Sequence, residues 1–174
     1  MKSISRTQEP DFAKGLFAGI AAGLLASFLM EQFQALWSKA ARELNPTKGA
    51  EKSGAQEEPA TVKVAQAVSE GLTHKKIPAS KKAFAGEAVH YTMGAASGAI
   101  YGVVAELTPL ATVADGMAFG ASVWLTADNA VLPSLGFAKP PTQTPASTHV
   151  YALASHLVYG FVTEAVRRAF RRAL

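Results

Sequence analysis

Four blocks of small and apolar residues alternate with polar stretches along the chain, and each block has the length of a helix. The first runs from about Gly15 to Met30 and extends through Phe33 to Trp37, so residues 15–37 read as one helix. A basic tail, residues 1–14, precedes it with Lys2, Arg6 and Lys14, and Lys39 and Arg42 follow it. About 20 mostly apolar residues between basic and aromatic flanks form the pattern of a membrane-spanning helix. A cleaved signal peptide is the rival reading, with Ser38 and Ala40 as its small-residue site. Glu31, Gln32 and Gln34 would then lie between the apolar run and the cut, which is awkward for such a segment.

Residues 38–82 read as a hydrophilic loop broken by Pro46, Gly49, Gly54, Pro59 and Pro78, with linker composition over residues 45–58. Within it Val62, Ala65, Val68 and Leu72 fall at helical spacing, which predicts a short amphipathic helix over 61–72. His74-Lys75-Lys76 and Lys81-Lys82 make a patch that faces water or headgroups. Residues 83–174 hold the other three blocks. The second spans Ala83 to Leu107 and stops at Thr108-Pro109; the third runs from about Asp115 to Leu132, before Pro133 and Gly136. Lys139-Pro140-Pro141 through Pro145 can hardly be helical. The fourth runs from about Thr148 to Val166 and closes with Arg167-Arg168 and Arg171-Arg172. The pattern predicts an all-α integral membrane bundle of about four short Gly/Ala-rich helices with one long polar loop. A soluble Ala-rich bundle is the alternative. Glycine costs about 1 kcal/mol each in a helix in water, whereas membrane helices use it for packing.

Composition narrows the classes. Hydrophobic residues make up 49% and charged residues 17%, below the roughly 25% charged residues of soluble domains. The chain has no cysteine, which excludes disulfides, thiolate metal sites and cysteine nucleophiles. A net charge of +4, placed mostly near the ends of apolar blocks, fits membrane lipids better than nucleic acid, for which no motif is present. The terminal arginines argue for a cytoplasmic C-terminus. Four spans then leave the N-terminus inside and the long loop periplasmic.

A four-residue ridge repeats in every block. It reads Gly15, Gly19, Gly23, Ser27, Glu31 in the first and His90, Gly94, Gly98, Gly102, Glu106 in the second. It reads Gly116, Gly120, Trp124, Asp128 in the third and Ala152, His156, Gly160, Glu164 in the fourth. Residues four apart share a helix face, and small ones let backbones approach closely. Packing leaves unexplained why each ridge ends in a carboxylate near a helix C-terminus, where the macrodipole disfavours negative charge. Antiparallel succession puts Glu31, Glu87, His90, Asp128 and His149 toward one membrane face. Glu106, Asp115 and Glu164 then lie at the other, near Arg167 and Arg168. Ionisable groups inside a span are candidate functional residues, although those near helix ends can instead reach the headgroups.

Glu87-Ala-Val-His90 has the Glu-x-x-His spacing of carboxylate di-iron bundles, but the required second pair is missing because Leu153 stands three residues before His156. A looser divalent-metal site from Glu31, Glu87, His90 and Asp128 is the remaining metal reading, and no metal or cofactor is expected. No nucleophile elbow, phosphate-binding loop or dinucleotide fingerprint occurs. The neighbours Ser155 and His156 point to different helix faces, so an enzyme is not expected.

His90-Tyr91, Gly94, Gly98, Tyr101 and Val103-Val104-Ala105-Glu106 resemble the YagU-like inner-membrane proteins, a bacterial family without an established biochemical function. Leu135-Gly136, Pro140-Pro141, His156-Leu157-Val158, Glu164 and Arg167-Arg168 carry the same resemblance. It covers about half the chain and leaves the long loop out. It implies an inner-membrane helical protein and transfers no catalytic residue. Two functional classes follow. One is a non-enzymatic envelope scaffold or accessory protein, assembled through its glycine ridges with itself or a membrane partner. The other is a small proton- or cation-conducting protein that uses the intramembrane Glu and His residues.

Overall fold

The structure, a computed structural model, describes residues 10–44 and 58–173. The basic tail before Pro10 and the linker over residues 45–57 lie outside the described residues. Within them the chain is all-α, with five helices and no strand. Helix α1 (Phe12–Leu44) is capped by Asp11, whose carboxylate accepts the Lys14 N–H at 3.0 Å. It runs seven residues past Trp37, so the loop expected from Ser38 begins later. Ser38 to Leu44 contains Lys, Ala, Arg, Glu and Leu, all good helix formers.

The amphipathic helix of the loop is α2 (Ala60–Thr73). Only half of its apolar stripe is used: Val62 and Ala65 are buried, whereas Val68 is 53% and Leu72 79% exposed. A 3-10 turn over Ala79–Lys81 leads into α3 (Lys82–Leu107). The next helix does not start at Asp115 as expected. Pro109 opens a 3-10 stretch, and Ala114, Asp115 and Gly116 all take positive φ. Gly116 is required there twice over, by its φ of 84° and because a Cβ would meet the Gly160 carbonyl oxygen. Helix α4 starts as regular α-helix (Met117–Val123), widens to π-helix (Trp124–Val131) and closes with Leu132–Ser134. Pro133 has no N–H for the carbonyl four residues back and its ring presses on it, which favours wider turns just before it. Asn129 Nδ2 donates to the Trp124 carbonyl at 2.9 Å inside this segment. A further 3-10 turn, Pro141–Gln143, sits in the proline-rich stretch. Helix α5 (Ala146–Ala173) includes the arginines expected to lie beyond it.

Among the described residues two helices are long and apolar enough to cross a membrane, Phe12–Leu44 and Pro109–Ser134. α3 and α5 have the length, but Glu87, His90, Glu106, His149, His156 and Glu164 interrupt them.

α1 lies between α3 and α5, α4 packs on α5, and α2 rests on the start of α3. The α1–α3 contact is antiparallel and made by glycines: a Cβ on Gly19 would run into the Gly98 carbonyl, and one on Gly23 into that of Gly94. Gly15 meets Gly102 in the same way. Gly116 and Gly120 sit against Gly160 and His156 of α5. The glycine ridges are therefore used up inside the chain.

Along α1 the small residues point inward and, Met30 apart, the large ones mostly outward. Ala18, Ala22 and Ala26 are fully buried, whereas Phe17 is 65% and Leu36 67% exposed. This inverts the order of a water-soluble core, where large apolar side chains supply the burial.

Candidate functional site

α3 and α4 touch near the Pro109 turn, where Tyr101 stacks on Phe119 with ring centroids 4.4 Å apart. Further along, the space between them is an open groove of about 810 Å³. α1 and α5 supply its floor through Ser27, Met30, Glu31, Ala152, His156 and Tyr159. The glycine contact sets this shape: it holds α3 tightly on α1 and leaves α4, packed mainly on α5, on the far side.

The groove gathers Glu31, Glu87, His90, Asp128 and His156. Glu31 accepts a hydrogen bond from the Tyr91 hydroxyl at 2.8 Å, and His90 Nε2 stands 3.9 Å from its other oxygen. His90 Nε2 also lies 3.5 Å from the Ser27 carbonyl, a long contact. His156 Nδ1 donates to the Ala152 carbonyl at 2.9 Å and sits 3.8 Å from Asp128. That bond leaves Nε2 as the acceptor of the neutral ring. Tyr159 crosses the floor: its hydroxyl donates to the Gly94 carbonyl at 2.7 Å and meets Ser97 Oγ at 2.8 Å. Ser27 is 1% exposed, and its hydroxyl, packed against Gly94, is without a hydrogen-bond partner.

His149, expected beside Glu31 and His90, stays outside the groove. Its Nε2 donates to the Pro141 carbonyl at 3.0 Å and its ring packs edge-on to Trp124, so it pins the proline-rich turn. Among the described residues no three His, Asp or Glu side chains are placed to hold a metal ion. Ser155 donates to the Tyr151 carbonyl at 2.9 Å, so it and His156 are engaged with separate backbone groups.

The remaining acids meet at the other end of the helices. Glu164, 1% exposed, accepts from Tyr101 at 2.8 Å, from Arg167 at 2.7 and 3.0 Å, and from Arg168 at 2.5 Å. Glu106 accepts from Arg171 at 2.8 and 3.1 Å and from the Asp11 N–H at 3.2 Å, with Arg167 at 3.7 Å. Asp115 pairs with Arg168 at 2.9 Å. Arginines thus compensate these acids, although only Glu106 stands at a helix C-terminus, since α5 continues nine residues past Glu164 and Asp115 precedes α4. The Glu164–Arg167–Arg168 spacing of three and four residues was legible as a helical ion pair. The Arg171–Glu106 pair joins residues 65 apart and had no local signal. Nor had Tyr91, Tyr101 and Tyr159, whose partners all lie on other helices.

No curated protein and no solved structure matches the chain. A family match spans residues 45–165. It takes in the long loop and α2, which the motif resemblance left out, and ends before Arg167. With more than two thirds of its length matched, the chain belongs to the DUF1440 family of proteins of unknown function.

Proposed function

We propose that this is a multi-pass protein of the bacterial inner membrane, non-enzymatic and of the accessory class, whose groove between α3 and α4 receives a second molecule. The outward-facing Phe and Leu side chains of α1 support the lipid environment, as do two helices of spanning length and apolarity. The likeness to YagU-like proteins supports the same placement. In this reading α1, α3, α4 and α5 form a four-span bundle held by glycine ridges, with Arg171 and Arg172 on the cytoplasmic side. The acid-lined groove then opens toward the periplasm.

The observation that carries the binding role is the groove itself, an 810 Å³ space with ionisable groups on apolar walls. Sites for small molecules have this character. Assembly through the glycine ridges loses its support, because those surfaces are occupied within the chain.

A second reading, proton or cation conduction, draws on three separate polar contacts along the helices: Glu31 with Tyr91 and His90, Ser97 with Tyr159, and Tyr101 with Glu164. Against it, a cation following that line would meet the guanidinium groups of Arg167 and Arg171, a barrier of the kind that excludes cations from pores.

The cysteine-free chain permits a direct test with single cysteines. Ser122→Cys, exposed and lining the groove, should react with a membrane-impermeant maleimide added to spheroplasts. Ser155→Cys, fully buried, should stay unmodified. Wild-type proteoliposomes under a pH gradient should leak no faster than empty ones. Recovery in the soluble fraction, or labelling of Ser122→Cys from the cytoplasmic side alone, overturns the proposal. Proton flux that disappears in Glu31→Gln establishes the conducting reading in its place.

A further inference from the structure

We infer that the groove binds lipophilic cations, small molecules that carry a positive charge on a bulky apolar body. The inference rests on the reading of the groove as a binding site and adds the chemistry of its occupant. Among its lining residues are the carboxylates of Glu31, Glu87 and Asp128 and the rings of His90 and His156, but no lysine or arginine. Lys82, at the start of α3, pairs with Glu58 at 2.7 Å, Lys63 and Lys139 line an adjoining space rather than the groove, and Arg167 and Arg168 are held by Glu164 at the opposite end. An anion in the groove would therefore meet like charge without a counter-charge. A purely apolar tail would bury carboxylates against hydrocarbon, which is unfavourable unless they are paired.

The walls suit the other half of such a molecule. Met30, Met93 and Ile100 offer apolar and adaptable surface. Phe119, Tyr151 and Tyr159 also line it, and aromatic faces attract desolvated cations. Glu31 and Asp128 remain 32% and 35% exposed, so their oxygens are reachable from the groove.

Size separates a small molecule from a partner helix. A volume of 810 Å³ falls within the roughly 300–1,000 Å³ of ligand pockets. A helix about 10 Å across has a cross-section of about 80 Å², so the groove would hold only about 10 Å of it, under two turns.

The test uses the full chain in zwitterionic phosphatidylcholine nanodiscs and two probes of nearly equal shape and opposite charge, tetraphenylphosphonium and tetraphenylborate. Equilibrium dialysis should find one saturable site for the phosphonium and only lipid background for the borate. Asp128→Asn and Glu31→Gln should each weaken phosphonium binding by about tenfold or more, the loss of one charged contact. Glu70→Gln, on the exposed face of α2, should leave it unchanged. The phosphonium should also slow maleimide labelling of Ser122→Cys. Equal binding of both probes, or unaltered affinity in the Asp128 and Glu31 variants, refutes the cation preference. If Ser122→Cys is labelled from the periplasmic side while neither probe binds, the groove stands and its cationic occupant is refuted. If Ser122→Cys is not labelled at all, the groove reading falls with it.

Discussion

Gly98→Leu is expected to unfold this protein more readily than any substitution on its surface. The Gly98 Cα faces Gly19 and Gly23, and even a single added carbon would lie about as close to Gly23 Cα as 2.8 Å. The atoms it meets are backbone, which cannot swing aside as a flexible side chain can. α1 and α3, the most extensively packed pair of the bundle, would have to separate along several turns. Overpacking of this kind costs about 3 kcal/mol or more, which corresponds to a fall in Tm of roughly 6–12 °C for a chain of this size. Circular dichroism in a mild detergent measures it. Gly71 is the control, since a Cβ there meets nothing within 4 Å. Gly71→Ala should hold Tm or raise it slightly, through the gain of about 0.5–1 kcal/mol that alanine brings to a helix. A Gly98→Leu protein with wild-type Tm would mean that α1 and α3 do not pack as described.

The sequence exposed the ridge before any coordinates, because small residues four apart have one physical use in apolar helices. It did not say which surface each ridge meets. The choice between pairing within the chain and pairing with another copy depends on tertiary register, which periodicity does not encode. The same limit explains the acids. The division of Glu31, Asp128, Glu106 and Glu164 between two ends followed from antiparallel succession, but the helix dipole bears on Glu106 alone among the glutamates, because α1 and α5 run on well past Glu31 and Glu164. The partners that spacing could not show are the distant ones: Tyr91 on Glu31, Tyr101 on Glu164 and Arg171 on Glu106, all 60 or more residues away. Helix ends were misjudged where local chemistry was subtle: Ser38 to Leu44 is polar yet strongly helix-forming, and polarity was read as loop. The π-helical stretch before Pro133 had a signal in that proline, whose effect on the preceding turns reaches upstream rather than marking only a stop.

Glu164→Gln is expected to be the second severe change, and it tests the closed end of the molecule. The carboxylate is 1% exposed and accepts from Tyr101, Arg167 and Arg168, so its charge is enclosed and fully used. The amide would keep one acceptor oxygen but leave Arg167, itself 8% exposed, without its main counter-charge. Breaking a buried pair from one side costs about 3–5 kcal/mol, since the remaining charge stays desolvated. Asp115→Asn removes a partner of Arg168 where both side chains are well exposed, 61% and 42%, and should cost no more than about 1 kcal/mol. Glu106→Gln falls with the severe class, because Glu106 is 8% and Arg171 11% exposed. A double change, Glu106→Gln with Arg171→Gln, should recover part of the loss, and the thermodynamic cycle isolates the pair energy. Equal stability of Glu164→Gln and Asp115→Asn would mean that water reaches Glu164. The end of the helices would then be an entrance rather than a seal, and the balance would move from a one-sided binding groove toward a conducting path.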